Sequence, residues 1–301
     1  MEGGHIMKKV DVLTAYADEL RRVGKSENTI KTYLNNIGTF LDWCEESNGE
    51  KFTGTLTQTE VRMYKSYLDT VKKASLSTIN TKLSSIQNFC NFLHVEYNNA
   101  LMKVEKKKGK TTPKVEVLDK QELFQFLKYV DGNANLLHKA IVYTILNTGM
   151  RESEVADLEL NDIIHLDSTK GSYIIVRNGK GDKYREIHIS GEYKAMLREY
   201  IEHRPNMDST KVFIGNRGTL TSNGIYKIIS RLGSQKGLHV YPHMLRHQYL
   251  TAYAKKCHTL EDVKALQETA GHSNIDTTMR FYVSSSNETK QRICEEINLF
   301  E

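Results

Sequence analysis

The sequence predicts a mainly helical protein of two domains: a four-helix bundle, then a larger mixed α/β domain, mostly helical with a small antiparallel sheet. Three observations predict it. Between Val10 and Tyr97, apolar residues recur at helical spacing in four separate runs. Across residues 98–116 that periodicity gives way to Lys103, Lys106, Lys107, Lys108, Lys110 and Lys114, with Gly109 and Pro113, which is the composition of a linker. Beyond it, two alternating segments, 173–178 (Tyr-Ile-Ile-Val-Arg-Asn) and 184–189 (Tyr-Arg-Glu-Ile-His-Ile), flank Gly179-Lys180-Gly181-Asp182-Lys183 as the strands and turn of a hairpin.

The bulk properties fit that architecture. With 301 residues, 39% hydrophobic and 26% charged, the chain has an ordinary globular composition and length enough for two domains. A net charge of +5 permits nucleic-acid binding without demanding it, so the placement of the lysines matters more than their number. No apolar run approaches the roughly 20 residues of a membrane span. Cys44, Cys90, Cys257 and Cys294 are widely spaced, with no Cys-x-x-Cys, and all but Cys257 fall in helical patterns, which suits reduced thiols in a cytosol. Residues 1–7 read as an added remnant, Glu2-Gly3-Gly4-His5-Ile6, together with a native start at Met7.

The first domain is expected over residues 8–97. Leu13, Tyr16, Ala17 and Leu20 mark its first helix. Ser26 caps a second carrying Ile30, Tyr33, Leu34, Ile37, Phe40, Leu41 and Cys44. Thr57 and Glu60 form a capping box opening a third with Val61, Tyr64, Leu68 and Val71. Ile79, Leu83, Ile86, Cys90 and Leu93 mark the fourth. The opposite faces of the second and fourth are polar: Asn28, Thr29, Lys31, Thr32, Asn35 and Asn36 on one, and Ser75, Ser77, Thr78, Asn80, Thr81, Lys82, Ser84 and Ser85 on the other. A merely solvated face more often carries Glu–Lys pairs, whereas short hydrogen-bonding groups with an occasional lysine suit contacts to phosphates and base edges.

The linker, 98–116, is a solvated tether on the simplest reading. Lysines between two DNA-facing domains would also neutralise phosphates. The second domain, 117–301, opens at a capping-box-like Asp119 to Glu122. Leu136 to Leu146 is apolar nearly all round, which predicts a central buried helix ended by Gly149. Thr148-Gly149-Met150-Arg151-Glu152-Ser153-Glu154 follows. Further on, Pro242 suits the first turn of a helix holding His243 and Arg246 three apart. Thr259 and Asp262 cap another, which Gly271 closes, leaving His272 at the exit and Tyr282 ten residues beyond.

Singly, these residues have bland readings. Tyr282 falls with Ile275 and Met279 at i, i+4, i+7, as a half-buried aromatic would. His243 and His247 are half a zinc site with no evident second half. A lysine in a hairpin turn is usually a solubilising residue. As an ordered set, Arg151, Lys180, His243, Arg246, His272 and Tyr282 resemble the tyrosine site-specific recombinases of the phage integrase family. The likeness runs from about residue 10 to the end. It implies a helical core-binding domain followed by a catalytic domain of the tyrosine recombinase type. It makes Arg151 the arginine of the first arginine box with Glu154 as its structural partner, Lys180 the hairpin lysine, His243 and Arg246 the His-x-x-Arg box, and Tyr282 the nucleophile. Ala270 stands where leucine is commoner, and Gln248-Tyr249-Leu250 where small residues are usual.

The resemblance implies strand exchange through a 3′-phosphotyrosine, with Arg151, Arg246 and His272 on the non-bridging oxygens, His243 as base and Lys180 as acid. No cofactor and no metal are implied, because two arginines and a lysine take the metal's place. The expected partner is double-stranded DNA with inverted half-sites, bound as a homotetramer joined by exchange of the tail, 284–301, through Ile293, Ile297 and Phe300. Candidate DNA contacts are Lys31, Asn35, Thr78, Asn80, Lys82, Lys106, Lys107 and Lys108. The first helix begins almost at Met7, leaving no room for an arm-binding domain. That layout resembles Xer-type or transposon resolvase-type recombinases of the prokaryotic cytoplasm, serving integration, excision or dimer resolution. A type IB topoisomerase or telomere resolvase uses the same active-site logic and stands as the alternative. A catalytically silent DNA-binding protein would have lost one of the six residues, and none is lost.

Overall fold

The computed structural model describes residues 8–95, 117–168, 171–177, 184–205 and 207–271. The chain divides into two compact units, Met1–Thr112 and Pro113–Glu301. Among the described residues no helix is long and apolar enough to cross a membrane.

The first unit holds α1 (Lys9–Arg22), α2 (Glu27–Asn48), α3 (Gln58–Thr70) and α4 (Leu76–Phe92). Ser26 accepts the N–H of Thr29 to open α2, and Gly49, at φ 72°, closes it in the left-handed conformation that glycine takes without strain. The Thr57–Glu60 capping box opens α3 and Ser75 caps α4. Ile30, Ile37, Phe40 and Leu41 of α2 close over Ile79, Leu83, Ile86 and Phe89 of α4, with Tyr16 and Tyr64 completing the core.

Three details differ from the sequence reading. In α1, Tyr16, Ala17 and Leu20 are buried as expected, but Val12 is fully buried ahead of them and Leu13 only partly. Val71 lies past the last turn of α3 and is 65% exposed. Asn36 and Ser85, grouped with the polar outer faces, are buried instead. The Asn36 amide donates to the Ser85 hydroxyl at 2.9 Å across the α2–α4 seam, which removes both from any groove-facing surface.

The second unit is built around α6 (Leu136–Thr148), which touches α5 (Lys120–Asn133), α7 (Glu152–Asp157), α8 (Gly191–His203), α9 (Ser222–Gln235) and α10 (Pro242–Ala254). Asn135 caps α6, and Gly149 ends it at φ 63°. Strands β1 (Ile163–Ile164), β2 (Ser172–Arg177) and β3 (Tyr184–Ile189) form an antiparallel sheet in that order, with Val176 opposite Arg185 and Ile174 opposite Ile187. A two-residue pair, β4 (Ile214–Gly215) and β5 (Gly218–Thr219), leads into α9. The last described helix is α11 (Leu260–Ala270). The Thr259–Asp262 capping box opens it and Gly271, at φ 62°, closes it. Against α10 it buries Leu250, Ala254, Leu266 and Ala270 as a small separate core.

Candidate active site

Gly149 turns the chain out of α6 so that Arg151 becomes the N-cap of α7. There Glu154 folds back on it. One carboxylate oxygen accepts the Arg151 backbone N–H at 2.8 Å and the other its Nη1 at 2.9 Å. This is the Glu154 half of a capping box with the guanidinium added, since an arginine side chain has no acceptor to offer the N3 amide. The Arg151 side chain remains 38% exposed, so it is held at its root and open at its tip.

Arg246 sits on the inner side of α10 and is 2% exposed, whereas His243, three residues before it, faces solvent. A buried guanidinium needs partners. Arg246 donates to the carbonyls of Gly149 and, at 2.6 Å, Ala270. Burial first, and then the neighbouring Arg151, lowers its pKa to about 10, which leaves it charged at neutral pH.

The end of α11 is the meeting point. Arg185 Nε donates to the carbonyl of Thr269 at 2.9 Å, Arg246 to Ala270, and Arg151 Nη2 to Gly271 at 3.2 Å. The last carbonyls of a helix have no partner within it and carry the negative end of its dipole, so three cations converge where they are most favourable. Glu154, with 9% of its side chain exposed, supplies the buried carboxylate at the hub. Three guanidiniums around it leave positive charge in excess, as a phosphate-binding site requires.

His243 and His247 pack edge-on, with ring centroids 4.1 Å apart. Although His243 keeps one face open to solvent, the protein packed around the rest of the ring desolvates it, and this is the main reason its pKa lies below the ordinary value, with Arg246 and Arg151 adding to it and Glu152 opposing. The imidazole is thus biased toward the neutral form that accepts a proton.

Arg151, His243 and Arg246 are therefore brought together. Lys180, His272 and Tyr282 lie outside the described residues, as do Lys106, Lys107, Lys108 and the tail, 284–301. In the first unit Lys31, Asn35 and Thr78 are exposed, while Asn80 and Lys82 are half-buried. The hydroxyls of Thr32 and Thr81 donate to the carbonyls of Asn28 and Ser77 in their own helices, so those protons already have acceptors. Arg185 was not singled out by any motif. Its signal in the sequence is an arginine sharing the inward phase of a strand with Ile187.

Comparison with known proteins agrees with this geometry. The phage integrase family matches residues 116–289, and the phage integrase N-terminal SAM-like domain matches residues 12–98. The TnP I resolvase of Bacillus thuringiensis is 27% identical over 284 residues, covering 90% of this chain and 95% of the relative. The tyrosine recombinase XerA of Pyrococcus horikoshii is 27% identical over 300 residues, covering 97% and 95%. A solved structure of the Tn1549 transposon integrase in complex with transposon right end DNA shares the fold at 20% identity. Its TM-score is 0.71 over 95% of this chain and 99% of that one. The chain belongs to the phage integrase family: it is a tyrosine recombinase, an enzyme that breaks and rejoins DNA strands.

Proposed function

We propose that Arg151 and Arg246 grip the scissile phosphate of a DNA site and that Tyr282 attacks it. The observation that carries this reading is the convergence of Arg151, Arg246 and Arg185 on the last carbonyls of α11, immediately before His272 in the chain. Strand exchange must break a phosphodiester and keep its energy for rejoining, and a covalent protein–phosphate bond does both without a nucleotide. The Tyr282 oxygen bonds to phosphorus, the bond from phosphorus to the 5′-oxygen breaks, and the products are a 3′-phosphotyrosine and a free 5′-hydroxyl. A phenol has an unperturbed pKa of about 10 and needs a base, which we assign to His243. The departing 5′-oxygen takes its proton from Lys180. Charge gathering on the non-bridging oxygens meets Arg151, Arg246 and His272. Attack by a 5′-hydroxyl on the phosphotyrosine reverses each step and rejoins the strand.

The rest of the chain serves recognition. Residues 8–97 form the core DNA-binding domain, with Lys31, Asn35, Thr78, Asn80 and Lys82 toward the duplex. Residues 98–116 form the linker, where Lys106, Lys107 and Lys108 neutralise phosphates, and residues 117–301 the catalytic domain. The target is double-stranded DNA with inverted half-sites inside a prokaryotic cell, and a homotetramer joined by tail exchange acts on it. A topoisomerase reading is not favoured, because the full-length likenesses are to a resolvase and a tyrosine recombinase.

A nicked substrate that traps the covalent intermediate tests the assignment. Tyr282→Phe removes one oxygen and abolishes the adduct while DNA affinity persists. Tyr226→Phe, at a tyrosine 44% exposed, and Tyr249→Phe, at one whose pKa burial raises to about 12, still trap. An adduct persisting in Tyr282→Phe moves the nucleophile to another tyrosine.

A further inference from the structure

Arg185 lies among Ser172, Ile174, Val176 and Ile187 on the inward side of the β2–β3 sheet, with 7% of its side chain exposed. Packing alone would be served by an apolar side chain of similar volume, and buried ion pairs replaced in that way often lose little or no stability. The charge therefore calls for a reason beyond filling space. Among the described residues its hydrogen bonds reach two segments that both belong to the site. Nη1 and Nη2 donate to the two oxygens of Glu154 at 2.9 and 2.7 Å, and Nε donates to the Thr269 carbonyl at 2.9 Å. The exit of α11 also lies directly on the guanidinium: a Cβ at Gly271 would stand 3.0 Å from Nη1 and 3.1 Å from Cζ.

Glu154 is thereby shared. Each of its oxygens accepts one bond from Arg185 and one from Arg151. A carboxylate facing Arg151 alone would close on it as a bidentate pair, the geometry that a phosphate also seeks. It would then compete with the phosphate for the same donors. Arg185 divides that carboxylate's attention and ties the hub to the end of α11.

We propose that Arg185 is a positioning residue for the cleavage reaction: by engaging Glu154 and Thr269 together, it keeps the Arg151 guanidinium available to the scissile phosphate and fixes it against the exit of α11. This rests on the assignment of Arg151 to the phosphate. On this reading Arg185 acts through Arg151.

The test is single-turnover covalent cleavage by the full chain, with DNA affinity and thermal stability measured beside it. Two substrates are used, a normal one and one with a methylphosphonate at the scissile position. In the second a methyl group replaces one non-bridging oxygen, so less charge needs stabilising. Arg151→Ala is the reference. Arg185→Met is expected to keep DNA affinity and to lose cleavage on the normal substrate by up to the 10²–10³-fold typical of a lost oxyanion donor, roughly. Like Arg151→Ala, it should recover much of that loss on the methylphosphonate. Arg185→Lys keeps a charge beside Glu154 but not the planar fork, and is expected to fall between. If Arg185→Met does not fold, Arg185→Lys decides by the same comparison. Equal losses on both substrates, or a loss that follows DNA affinity, would overturn the proposal and leave Arg185 a structural residue. If Arg151→Ala shows no recovery on the methylphosphonate, the Arg151 assignment fails, and the proposal with it. Recovery by Arg151→Ala without recovery by the Arg185 variants defeats the proposal alone.

Discussion

Tyr249 lies against Gly149 so closely that a Cβ on the glycine would stand 2.5 Å from the tyrosine's Cδ1. The contact explains two features of the sequence together. The bulky Tyr249 after the His243–Arg246 box has room because residue 149 has no side chain. Gly149 is in turn held to glycine twice, by its φ of 63° and by the ring. Its carbonyl also accepts from Arg246, so the turn bears on the site. Gly149→Ala should cost about 1–2 kcal/mol for the left-handed backbone and about 1–3 kcal/mol for overpacking. Gly24→Ala, at φ 72° with open space around it, should show the first term only. Combining Gly149→Ala with Tyr249→Ala should relieve the clash while leaving the backbone strain. Urea denaturation of the four proteins measures this, and equal losses for Gly149→Ala and Gly24→Ala would refute the steric part.

Glu154 sets an acid limit on the second unit. Burial works to raise its pKa, but hydrogen bonding and charge from Arg185, followed by Arg151, outweigh burial and hold the carboxyl below its ordinary value. A depressed folded pKa means that the unfolded chain binds the proton more readily. The stabilisation is therefore complete above the unfolded value of about 4.3 and is lost as pH falls through the folded one. Glu154→Ala leaves Arg185 buried without its carboxylate, a loss of about 3–5 kcal/mol for a broken buried pair. Denaturation of the variant at pH 7 should show that loss, and the difference from the unsubstituted protein should shrink as the pH falls below the unfolded value of about 4.3. A gap independent of pH would mean that the carboxylate's charge is not what stabilises.

His247 shapes the next window up. Burial, then His243, then Arg246, push its pKa down to about 4. The unfolded histidine, near 6.5, takes up its proton first. Stability from this group is thus fully present above pH 6.5 and lost as the pH falls toward 4. His247→Gln should lose less Tm between pH 7.5 and 5 than the unsubstituted protein does. An identical decline in both would show that other groups govern this range.

Much of this was legible because local chemistry marks it. Pro242, the Thr259–Asp262 box and the left-handed Gly149 and Gly271 fix helix ends from within a few residues, and the second and fourth bundle helices show their buried faces by spacing alone. Helices α8 and α9 carry the same signal, in Tyr193, Leu197 and Tyr200 and in Ile225, Ile229 and Leu232, but no motif. What the sequence hid was settled at long range. Arg185 finds Glu154 and Thr269 at 31 and 84 residues' separation. Asn36 finds Ser85 across 49, so a polar residue at the edge of an apolar stripe reads as exposed until the facing helix is in place. Strands of two residues, as in β1, β4 and β5, are too short to display a period.

Lys180 is assigned to the leaving group, and that role can be isolated chemically. Without a general acid the 5′-oxygen must leave as an alkoxide. General acid catalysis contributes roughly 10²–10⁴-fold, so Lys180→Ala should reduce cleavage by that order. A substrate with sulfur in place of the bridging 5′-oxygen has a leaving group that scarcely needs a proton. On it Lys180→Ala should regain most of its cleavage rate. Arg151→Ala and Arg246→Ala should not, because the proposed reading puts their charge on the non-bridging oxygens. Lys183, three residues on, is the natural competitor and belongs in the same experiment. Recovery by Lys183→Ala but not by Lys180→Ala would transfer the role, and recovery by neither would place the acid elsewhere in the site.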